Sequence, residues 1–281
     1  MALEIKRLSD ALGAEVTGLD PTDVSPDEGA RLSDAFLEYH LLCIRSVPLN
    51  ASDFVRFSRI FGEPKLHVLK RNRLADVPEV TLMDSTYHTP ADKPNDLAQD
   101  RRSAWHTDDS YLEVPAKATL LQGISVPESG GQTRFCNTRL ALSALPESEA
   151  EQFSGLKVVH GYDTQRAPAR AKKRTQDEQE QTPEVVHPLI RTHEDTGAGA
   201  FFFNPNRTDR VVGMERRESD RLLDRVYEQI TQNRFRYDHE WRAGDILVWD
   251  NRCLVHSVNM DFSVGQQRIH HRILISGDRP R

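Results

Sequence analysis

Two distant segments of the chain carry side chains that together can bind a metal ion. His106 and Asp108 stand two residues apart in a segment that is typical of extended chain, where residues i and i+2 point to the same face. His256 ends an apolar run that begins at Ile246. Two histidines and one carboxylate on one side of a metal leave the other side open, which is the facial triad of non-haem Fe(II) oxygenases.

Three further side chains can complete such a site. Arg268 follows His256 by about the length of one hairpin and can place a permanently charged guanidinium beside the metal. Arg272 and His270 share a strand face with Arg268, because alternate residues of a strand point the same way, and His270 is expected to pack in the core. Thr133 follows a Gly-Gly turn and offers a hydroxyl to the same pocket. A lone His-x-Asp pair is weak evidence for a metal site, whereas the joint arrangement of these residues indicates a metal site beside an anion-binding arginine.

The residue types alone leave two other functions open. A zinc-dependent hydrolase can use the same His/Asp/His ligands with one open coordination position, although it would give Arg268 no task. A non-catalytic jelly-roll binding protein would not need an intact set of ligands. Taken singly, His256 is also typical of a buried core histidine, and His106 with Asp108 of a hydrogen-bonded pair.

Composition limits the class of protein. The 281 residues, 37% of them hydrophobic, are enough for a sizeable core and indicate one domain over residues 1–281. A formal net charge of -6, from 37 basic and 43 acidic side chains, argues against nucleic acid as a partner. The N-terminus lacks the pattern of a signal peptide, and no apolar run is long enough to span a membrane. We therefore expect a soluble, cytoplasmic protein without nucleic-acid or membrane partners.

The elements that would position these residues are mostly short. The first helix is predicted from its N-cap Ser25, the proline after it and two early acidic residues. The predicted helices are Ser25 to Tyr39, Ser52 to Phe61, Leu140 to Ala144, Ser148 to Phe153 and the amphipathic segment Glu218 to Thr231. The predicted strands are 41–45, 80–83, 118–126, the segment after Gly131, a pair formed by 185–192 and 200–204, 235–237, 246–249 and 269–276.

These elements predict the fold class. Many short strands, few helices and no regular alternation of strand and helix indicate a mainly β fold with helical decoration (α+β), an antiparallel barrel or jelly roll. Residues 165–182 are rich in Gln, Arg, Lys and Glu, which predicts a mobile surface insertion or lid. Cys43, Cys136 and Cys253 are widely separated and odd in number, which favours reduced, buried thiols.

Five segments resemble, in order and spacing, the TauD/TfdA family of Fe(II)- and 2-oxoglutarate-dependent dioxygenases, the family of taurine dioxygenase. They read WHTD around His106, SGGQTRF, HPLIRTH, AGDILVWDNRCLVH and RIHHRILISGD. The resemblance covers nearly the whole chain. It implies a double-stranded β-helix, which is a jelly roll of the cupin type, as a single domain over residues 1–281.

The resemblance also implies a role for each matched residue. His106, Asp108 and His256 match the iron ligands. Thr133 and Arg268 match the residues that hold the distal carboxylate of 2-oxoglutarate, a bidentate task for which arginine is suited. Fe(II) is thus the implied cofactor, with 2-oxoglutarate and O2 as cosubstrates. Decarboxylation of the oxo acid to succinate and CO2 would be coupled to hydroxylation of a C–H bond.

The substrate positions depart in part from those of taurine-oxidising members. Arg272 matches the arginine that grips the anionic end of a sulfonate, and His67 falls near a substrate-contacting histidine. Arg102 and Arg207, by contrast, stand where those members carry an asparagine and a phenylalanine, and Lys70 stands in place of an aromatic residue. We therefore expect a small anionic organic substrate, which is a sulfonate, a phosphonate or a carboxylate. Our more specific hypothesis is a substrate with two acidic groups or a phosphonate, held by Arg102, Arg207 and Arg272. The family also implies a homo-oligomer, either a dimer or a tetramer.

Overall fold

The computed structural model describes residues 2–92, 105–167 and 174–281. In these ranges the strands form four sheets, and no helix is long and apolar enough to cross a membrane. The strands are β1 Glu4–Arg7, β2 Ala14–Thr17, β3 Leu41–Ile44, β4 Pro64–Lys65, β5 Thr81–Asp84, β6 Ala116–Ser125, β7 Thr133–Asn137, β8 Lys157–His160, β9 Val185–Pro188, β10 Ile190–Thr192, β11 Gly199–Phe201, β12 Thr208–Val211, β13 Arg236–His239, β14 Ile246–Asp250, β15 Leu254–Val258 and β16 Ile269–Ser276. The helices are α1 Pro26–Tyr39, α2 Ala51–Ser58, α3 Thr138–Ser143, α4 Glu147–Ala150, α5 Gln176–Glu180 and α6 Arg216–Ile230, with 3-10 turns at Arg59–Phe61, Lys70–Asn72, Pro90–Asp92, Glu151–Phe153 and Asn233–Phe235.

The largest sheet has eight strands and carries two helices on one face. Its order is β1-β2-β3-β14-β6-β16-β4, with β5 also paired to β16. Alternate side chains of a strand share a face, so Leu120 and Ile273 are buried in one cluster with Phe36 of α1 and Phe54 of α2. Each such side chain removed from water contributes roughly 1.5–3 kcal/mol. Apolar burial therefore holds α1 and α2 on this sheet.

The other face of the large sheet packs against a three-stranded sheet, β13-β7-β15. Leu247 and Trp249 of β14 share an apolar cluster with Phe135 of β7 and Leu254 of β15, and the Trp249 and Phe135 rings meet edge to face at 5.3 Å between centroids. Val248, between them, belongs to the cluster under the helices. Both faces of β14 are buried, which explains why its sequence is a continuous apolar run.

The small sheet brings together site residues from distant parts of the chain. In the pairing of β15 with β7, His256 lies opposite Phe135 and Val258 lies opposite Thr133. His106 extends the sheet by an isolated antiparallel bridge to His256. Three segments that are far apart in sequence therefore meet on one sheet.

Most predicted elements are confirmed. Helix α1 begins after Ser25, whose hydroxyl accepts the N–H of Glu28 while the Glu28 carboxylate accepts the N–H of Ser25, a capping box. The strands predicted at 41–45, 118–126, 246–249 and 269–276 all lie in the large sheet. The fold is mixed sheet and helix, and its two packed sheets do not join into one closed hydrogen-bonded barrel within the described residues.

The prediction of a single strand over residues 185–192 is wrong. Val185–Pro188 pairs with β8, and only Ile190–Thr192 pairs with β11. Leu189 separates the two strands, because its N–H donates to the carbonyl of Leu156 while its own carbonyl accepts the N–H of Phe202. The segment thus passes from one sheet to another at Leu189.

The polar segment 165–182 is described in part, because residues 168–173 lie outside the described ranges. Thr175 caps α5, and Asp177 of that helix pairs with Lys70 Nζ at 2.8 Å. The Arg174 guanidinium lies 4.4 Å from the centroid of the Tyr162 ring. These contacts attach α5 to neighbouring segments, and its action as a lid stays a prediction.

Candidate active site

The three predicted metal ligands converge. His106 and His256 exchange two backbone hydrogen bonds, with N–O distances of 2.8 and 2.7 Å, and their ring centroids lie 4.1 Å apart. Asp108 Oδ1 lies 3.8 Å from His106 Nε2, and Asp108 Oδ2 lies 3.9 Å from His256 Nε2. One ligand atom of each residue lies within 4.8 Å of the others, so the cluster can hold a metal ion. Two imidazole nitrogens and a carboxylate are donors that suit Fe(II).

A turn, rather than a strand, directs Asp108 toward the histidines. The backbone pairs with β15 only at His106, and Leu112 donates its N–H to the Asp109 carbonyl at 2.8 Å. Asp109 has a φ of 56°, a left-handed conformation that Asp adopts more readily than most residues. The prediction of extended chain across this segment is therefore wrong beyond His106.

A series of hydrogen bonds positions the Asp108 carboxylate. The Thr119 hydroxyl donates to Asp108 Oδ2 at 2.6 Å, and the Asn251 amide donates to Thr119 Oγ1 at 2.8 Å. Asn251 Oδ1 accepts from Trp249 Nε1 at 3.0 Å. The residue pattern does not predict these roles of Thr119 and Asn251, and its one signal is the place of Asn251 inside the segment that ends on His256.

Burial and charge keep the ligands in the protonation states that bind metal. Burial raises the pKa of Asp108, but His256, Arg272 and His106 outweigh burial and hold this pKa well below its usual range. Burial, followed by the neighbouring His106, lowers the pKa of His256 to about 3. At neutral pH, Asp108 is therefore a carboxylate and His256 a neutral imidazole, as metal binding requires.

Arg268 and Thr133 lie together in the interior. Arg268 is 2% exposed, and it donates from Nη2 to Thr133 Oγ1 at 3.2 Å and from Nε to the Gly131 carbonyl at 3.0 Å. Burial lowers the pKa of Arg268 to about 10, with a smaller opposite effect of Tyr87, and no carboxylate of the described residues pairs with it. A buried cation without an acidic partner is costly, so this position suits an anionic ligand.

A cavity of about 560 Å³ opens beside the metal ligands. His106 and Asp108 are part of its wall. Thr133 and Arg268 are buried but do not line this cavity. The expectation that Thr133 offers its hydroxyl to the same pocket is therefore not met in this structure. Three of the predicted substrate residues do line the cavity: His67, Arg207 and Arg272.

The two cavity arginines have different surroundings. Arg272 Nη1 lies 3.5 Å from Asp108 Oδ1, and its Nε donates to a threonine hydroxyl of β5 at 3.3 Å. The Arg207 guanidinium lies over two aromatic rings, 4.5 Å from the Tyr162 centroid and 5.4 Å from the Tyr111 centroid. One guanidinium therefore adjoins a metal ligand, while aromatic rings support the other.

His67 and Arg102 complete the predicted substrate set. His67 Nδ1 accepts the N–H of Leu69 at 3.2 Å. Burial and the positive charge of Arg272 lower the pKa of His67, which makes it a neutral group in the cavity wall. Arg102 lies outside the described residues.

The cavity wall also contains an ion pair that the sequence does not predict. Asp109 lines the cavity, and its Oδ2 lies 3.1 Å from Lys65 Nζ. Tyr111 donates its hydroxyl to Asp109 Oδ1 at 3.2 Å. Nothing in the spacing of residues 65 and 109 indicates this contact. Lys65 thus compensates Asp109, and the cavity wall combines Arg207 and Arg272 with the carboxylates of Asp92 and Asp108.

Comparison with known proteins decides the family. The profile of the taurine catabolism dioxygenase TauD, TfdA family matches residues 4–274. The chain belongs to the TauD/TfdA family. This TauD/TfdA protein is 30% identical over 242 residues to an alpha-ketoglutarate-dependent 2,4-dichlorophenoxyacetate dioxygenase of Burkholderia sp. (strain RASC), covering 83% of this chain and 80% of the relative.

Two further matches extend over almost the whole chain. The TauD/TfdA protein is 27% identical over 293 residues to an alpha-ketoglutarate-dependent sulfate ester dioxygenase of Pseudomonas putida, covering 100% of this chain and 91% of the relative. It is similar to the crystal structure of a taurine dioxygenase from Burkholderia xenovorans, with a TM-score of 0.84 and 29% identity over 99% of this chain and 90% of that chain. The family resemblance read from the sequence is thus confirmed.

Family membership also confirms the predicted enzyme class. As a TauD/TfdA protein, the chain is an oxidoreductase of the dioxygenase type. The predicted use of Fe(II), 2-oxoglutarate (alpha-ketoglutarate) and O2 is confirmed by the family and by a cluster whose donor set suits Fe(II). The matches do not support the alternative of a zinc-dependent hydrolase.

Proposed function

We propose that this TauD/TfdA protein hydroxylates a C–H bond of a small anionic organic substrate, with release of succinate and CO2 from 2-oxoglutarate. One observation carries the proposal. His106, Asp108 and His256 converge beside a cavity whose wall also includes Arg207 and Arg272. The ligands offer a metal site, and the guanidiniums attract an anion to it.

The proposed roles divide metal binding from cosubstrate binding. His106, Asp108 and His256 would hold Fe(II), which with the oxo acid supplies the activation of O2 that hydroxylation requires. Arg268 and Thr133 would bind the distal carboxylate of 2-oxoglutarate. Arg268 is buried without an acidic partner among the described residues, which supports this assignment, because a bound carboxylate would compensate its charge.

The cavity residues would position the substrate. Arg272 Nη1 lies 3.5 Å from Asp108 Oδ1, so an anionic group held by Arg272 places the adjoining carbon near the metal ligands. Arg207 lies on the rings of Tyr111 and Tyr162, which restricts its rotamers. Orientation of the substrate would therefore rest on fixed rather than mobile side chains.

We also propose the double-stranded β-helix, a jelly roll, as the fold. The face-to-face packing of the large sheet and β13-β7-β15 supports it, as does the similarity to a solved taurine dioxygenase structure. The bridge between His106 and His256 would add one rung to the smaller sheet. The ligands would then lie at the seam between the sheets.

The proposed substrate carries two acidic groups or a phosphonate. Arg207 and Arg272 line one cavity, with the neutral His67 in the same wall. The names of the relatives already include a phenoxyacetate and sulfate esters as substrates, so an anionic substrate is common among them. The second arginine is the feature that favours a second negative charge here.

The first experiment tests the metal and cosubstrate sites directly. Fe(II) and 2-oxoglutarate are added to the purified protein without O2, and the weak visible charge-transfer band of a chelated oxo acid is recorded. We expect the band in the wild-type protein and its loss in His256→Ala, with circular dichroism as the control for folding. Folded wild-type protein that shows no band would contradict the proposal.

The substrate class is tested by succinate formation in the presence of O2. Monoanionic sulfonates are compared with phosphonates and dicarboxylic acids of similar size. We expect kcat/KM to be about tenfold higher for the dianions, as one additional charge-assisted contact predicts, and Arg207→Gln to remove most of this difference. Equal kcat/KM values for both groups would exclude the dianion preference.

Three other expectations stay predictions: the homo-oligomer, the cytoplasmic location and the lid at residues 165–182. Sedimentation of the purified protein tests the first. A single species at the mass of one chain would contradict a dimer or tetramer.

A further inference from the structure

The Thr133 hydroxyl is surrounded by donors. Its Oγ1 accepts from Trp241 Nε1 at 3.0 Å and from Arg268 Nη2 at 3.2 Å. A hydroxyl has two acceptor lone pairs and one O–H donor, so both lone pairs are used. Thr133 is 1% exposed, and none of its hydrogen bonds among the described residues gives its proton an acceptor.

We propose that Trp241 is a positioning residue that makes Thr133 a hydrogen-bond donor to the distal carboxylate of 2-oxoglutarate. With two donors on Oγ1, the O–H must point away from both Trp241 and Arg268. A carboxylate beside Arg268 is the acceptor that this orientation favours. The inference rests on the proposed function of Thr133 and Arg268, and it adds a residue that the family resemblance did not assign.

Packing fixes the direction of the Trp241 N–H. The indole makes T-shaped contacts with two buried imidazoles, with centroid distances of 4.9 Å to His239 and 4.5 Å to His270. Gly123 leaves room for it, since a Cβ there would stand 3.2 Å from Trp241 Cε3. The donor is therefore oriented before the ligand arrives, which lowers the entropy that binding must overcome.

This arrangement makes a selective prediction about the oxo acid. Trp241 acts on the end of the ligand that carries the distal carboxylate, not on the end that chelates the metal. 2-Oxopentanoate has the same chain length as 2-oxoglutarate and the same chelating end, but it lacks the distal carboxylate. Loss of the indole N–H should therefore weaken the binding of 2-oxoglutarate and leave the binding of 2-oxopentanoate unchanged.

The experiment measures the binding of both acids to Fe(II)-loaded protein by calorimetry without O2. Trp241→Phe removes the N–H and keeps an aromatic ring in contact with the two imidazoles. We expect the Kd of 2-oxoglutarate to rise about tenfold and the Kd of 2-oxopentanoate to stay the same. Tyr237→Phe is the matched control, because it removes a hydroxyl of β13 that lies 3.3 Å from His239 Nδ1, and it should change neither Kd.

A double-mutant cycle tests whether Trp241 acts through Thr133. In the Thr133→Val background, Trp241→Phe should raise the Kd of 2-oxoglutarate by less than about a further twofold. In the Thr133→Ser background, which keeps the hydroxyl, Trp241→Phe should again weaken the binding of 2-oxoglutarate. Two results would overturn the inference by assigning Trp241 a purely structural role. In the first, Trp241→Phe raises the Kd of both oxo acids equally; in the second, its effect on the Kd of 2-oxoglutarate adds fully to that of Thr133→Val.

Failure of the proposed function gives a different result. If wild-type protein binds both oxo acids equally, no group recognises the distal carboxylate. That result would contradict the proposed roles of both Arg268 and Trp241. If wild-type protein prefers 2-oxoglutarate and Arg268→Met abolishes the preference while Trp241→Phe preserves it, the function stands and the inference alone is wrong.

Discussion

At the scale of single residues, the two arginines Arg268 and Arg272 have different electrostatic surroundings. Arg272 Nη1 lies 3.5 Å from Asp108 Oδ1 and helps to keep that carboxylate ionised. Arg268 is buried with a threonine hydroxyl and a carbonyl as its partners. A guanidinium in a low-dielectric interior attracts opposite charge strongly. Arg268 is therefore poised for an external anion, whereas Arg272 is partly compensated already.

The Thr119 hydroxyl provides a prediction at this scale. Thr119→Val keeps the shape of the side chain but removes the 2.6 Å hydrogen bond to Asp108 Oδ2, and it deprives the Asn251 amide of an acceptor. Loss of a hydrogen bond that supports a metal ligand costs roughly 10–100-fold in metal affinity. We expect a rise of that order in the Kd for Fe(II), measured by anaerobic titration.

Thr119→Ser separates the hydroxyl from the shape of the side chain. It keeps Oγ and should bind Fe(II) within about twofold of the wild-type protein. If Thr119→Val also binds Fe(II) as tightly as the wild-type protein, the Asp108 carboxylate is positioned without this hydrogen bond.

At the scale of elements, a buried ionic cluster anchors the end of β14. Asp250 accepts from His193 Nε2 at 2.9 Å and from Arg252 Nε at 2.8 Å, and Arg252 Nη1 also lies 2.6 Å from Asp195 Oδ2. The next residue, Asn251, belongs to the hydrogen bonds behind Asp108. The end of this strand thus connects the stability of the fold to the geometry of the site.

Asp250→Asn tests this anchor. Removal of one charge from a buried ionic cluster costs about 3 kcal/mol or more, so we expect the Tm to fall by roughly 10 °C. Burial raises the pKa of Asp250, but His193 and Arg252 outweigh burial and hold this pKa well below its usual range. The carboxylate therefore stabilises the fold above about pH 4, its ordinary pKa, and this contribution is lost as the pH falls further.

Thermal unfolding at several pH values measures both effects. The Tm difference between wild-type protein and Asp250→Asn should be largest near neutral pH and should narrow below pH 4. Asp177→Asn is the matched control, since Asp177 forms an exposed pair with Lys70 and should leave the Tm nearly unchanged. A Tm difference that is constant with pH would argue against a depressed pKa.

At the scale of the whole molecule, the candidate metal site connects the two packed sheets. His256 belongs to β15 of the small sheet, and His106 is bridged to it. Asp108 is hydrogen-bonded to Thr119 of β6, in the large sheet. A metal held by all three ligands binds the native arrangement and not the unfolded chain, so binding should stabilise the molecule as a whole.

Ligand-dependent melting tests this linkage. At a hundredfold excess over Kd, a ligand that binds only the native state adds about 2.7 kcal/mol, which corresponds to a rise in Tm of roughly 5–10 °C. We expect this rise with Fe(II) and 2-oxoglutarate in anaerobic scans, its reversal by a chelator, and its absence in His256→Ala. An equal rise in His256→Ala would place the metal elsewhere, for example at the buried group Cys43, His239 and Asp245.

The sequence by itself determined the local elements and the residue types of the candidate site. Ser25 and Glu28 form their capping box within four residues of chain, and the apolar run of β14 is buried on both faces. Both signals arise from hydrogen bonding and burial along a short stretch, so they can be read without tertiary structure. The two histidines and one aspartate at His106, Asp108 and His256 likewise indicate a facial triad from the sequence alone.

Only the tertiary structure decided how these groups are supported. Thr119 contacts Asp108 because β6 lies beside the site, and Trp241 reaches Thr133 across 108 positions of sequence. The turn at Asp109 replaced the expected strand because the backbone pairs with β15 at a single residue, which no periodic pattern encodes. Contacts of this kind depend on the packing of all the strands at once, whereas local propensity acts over only a few residues.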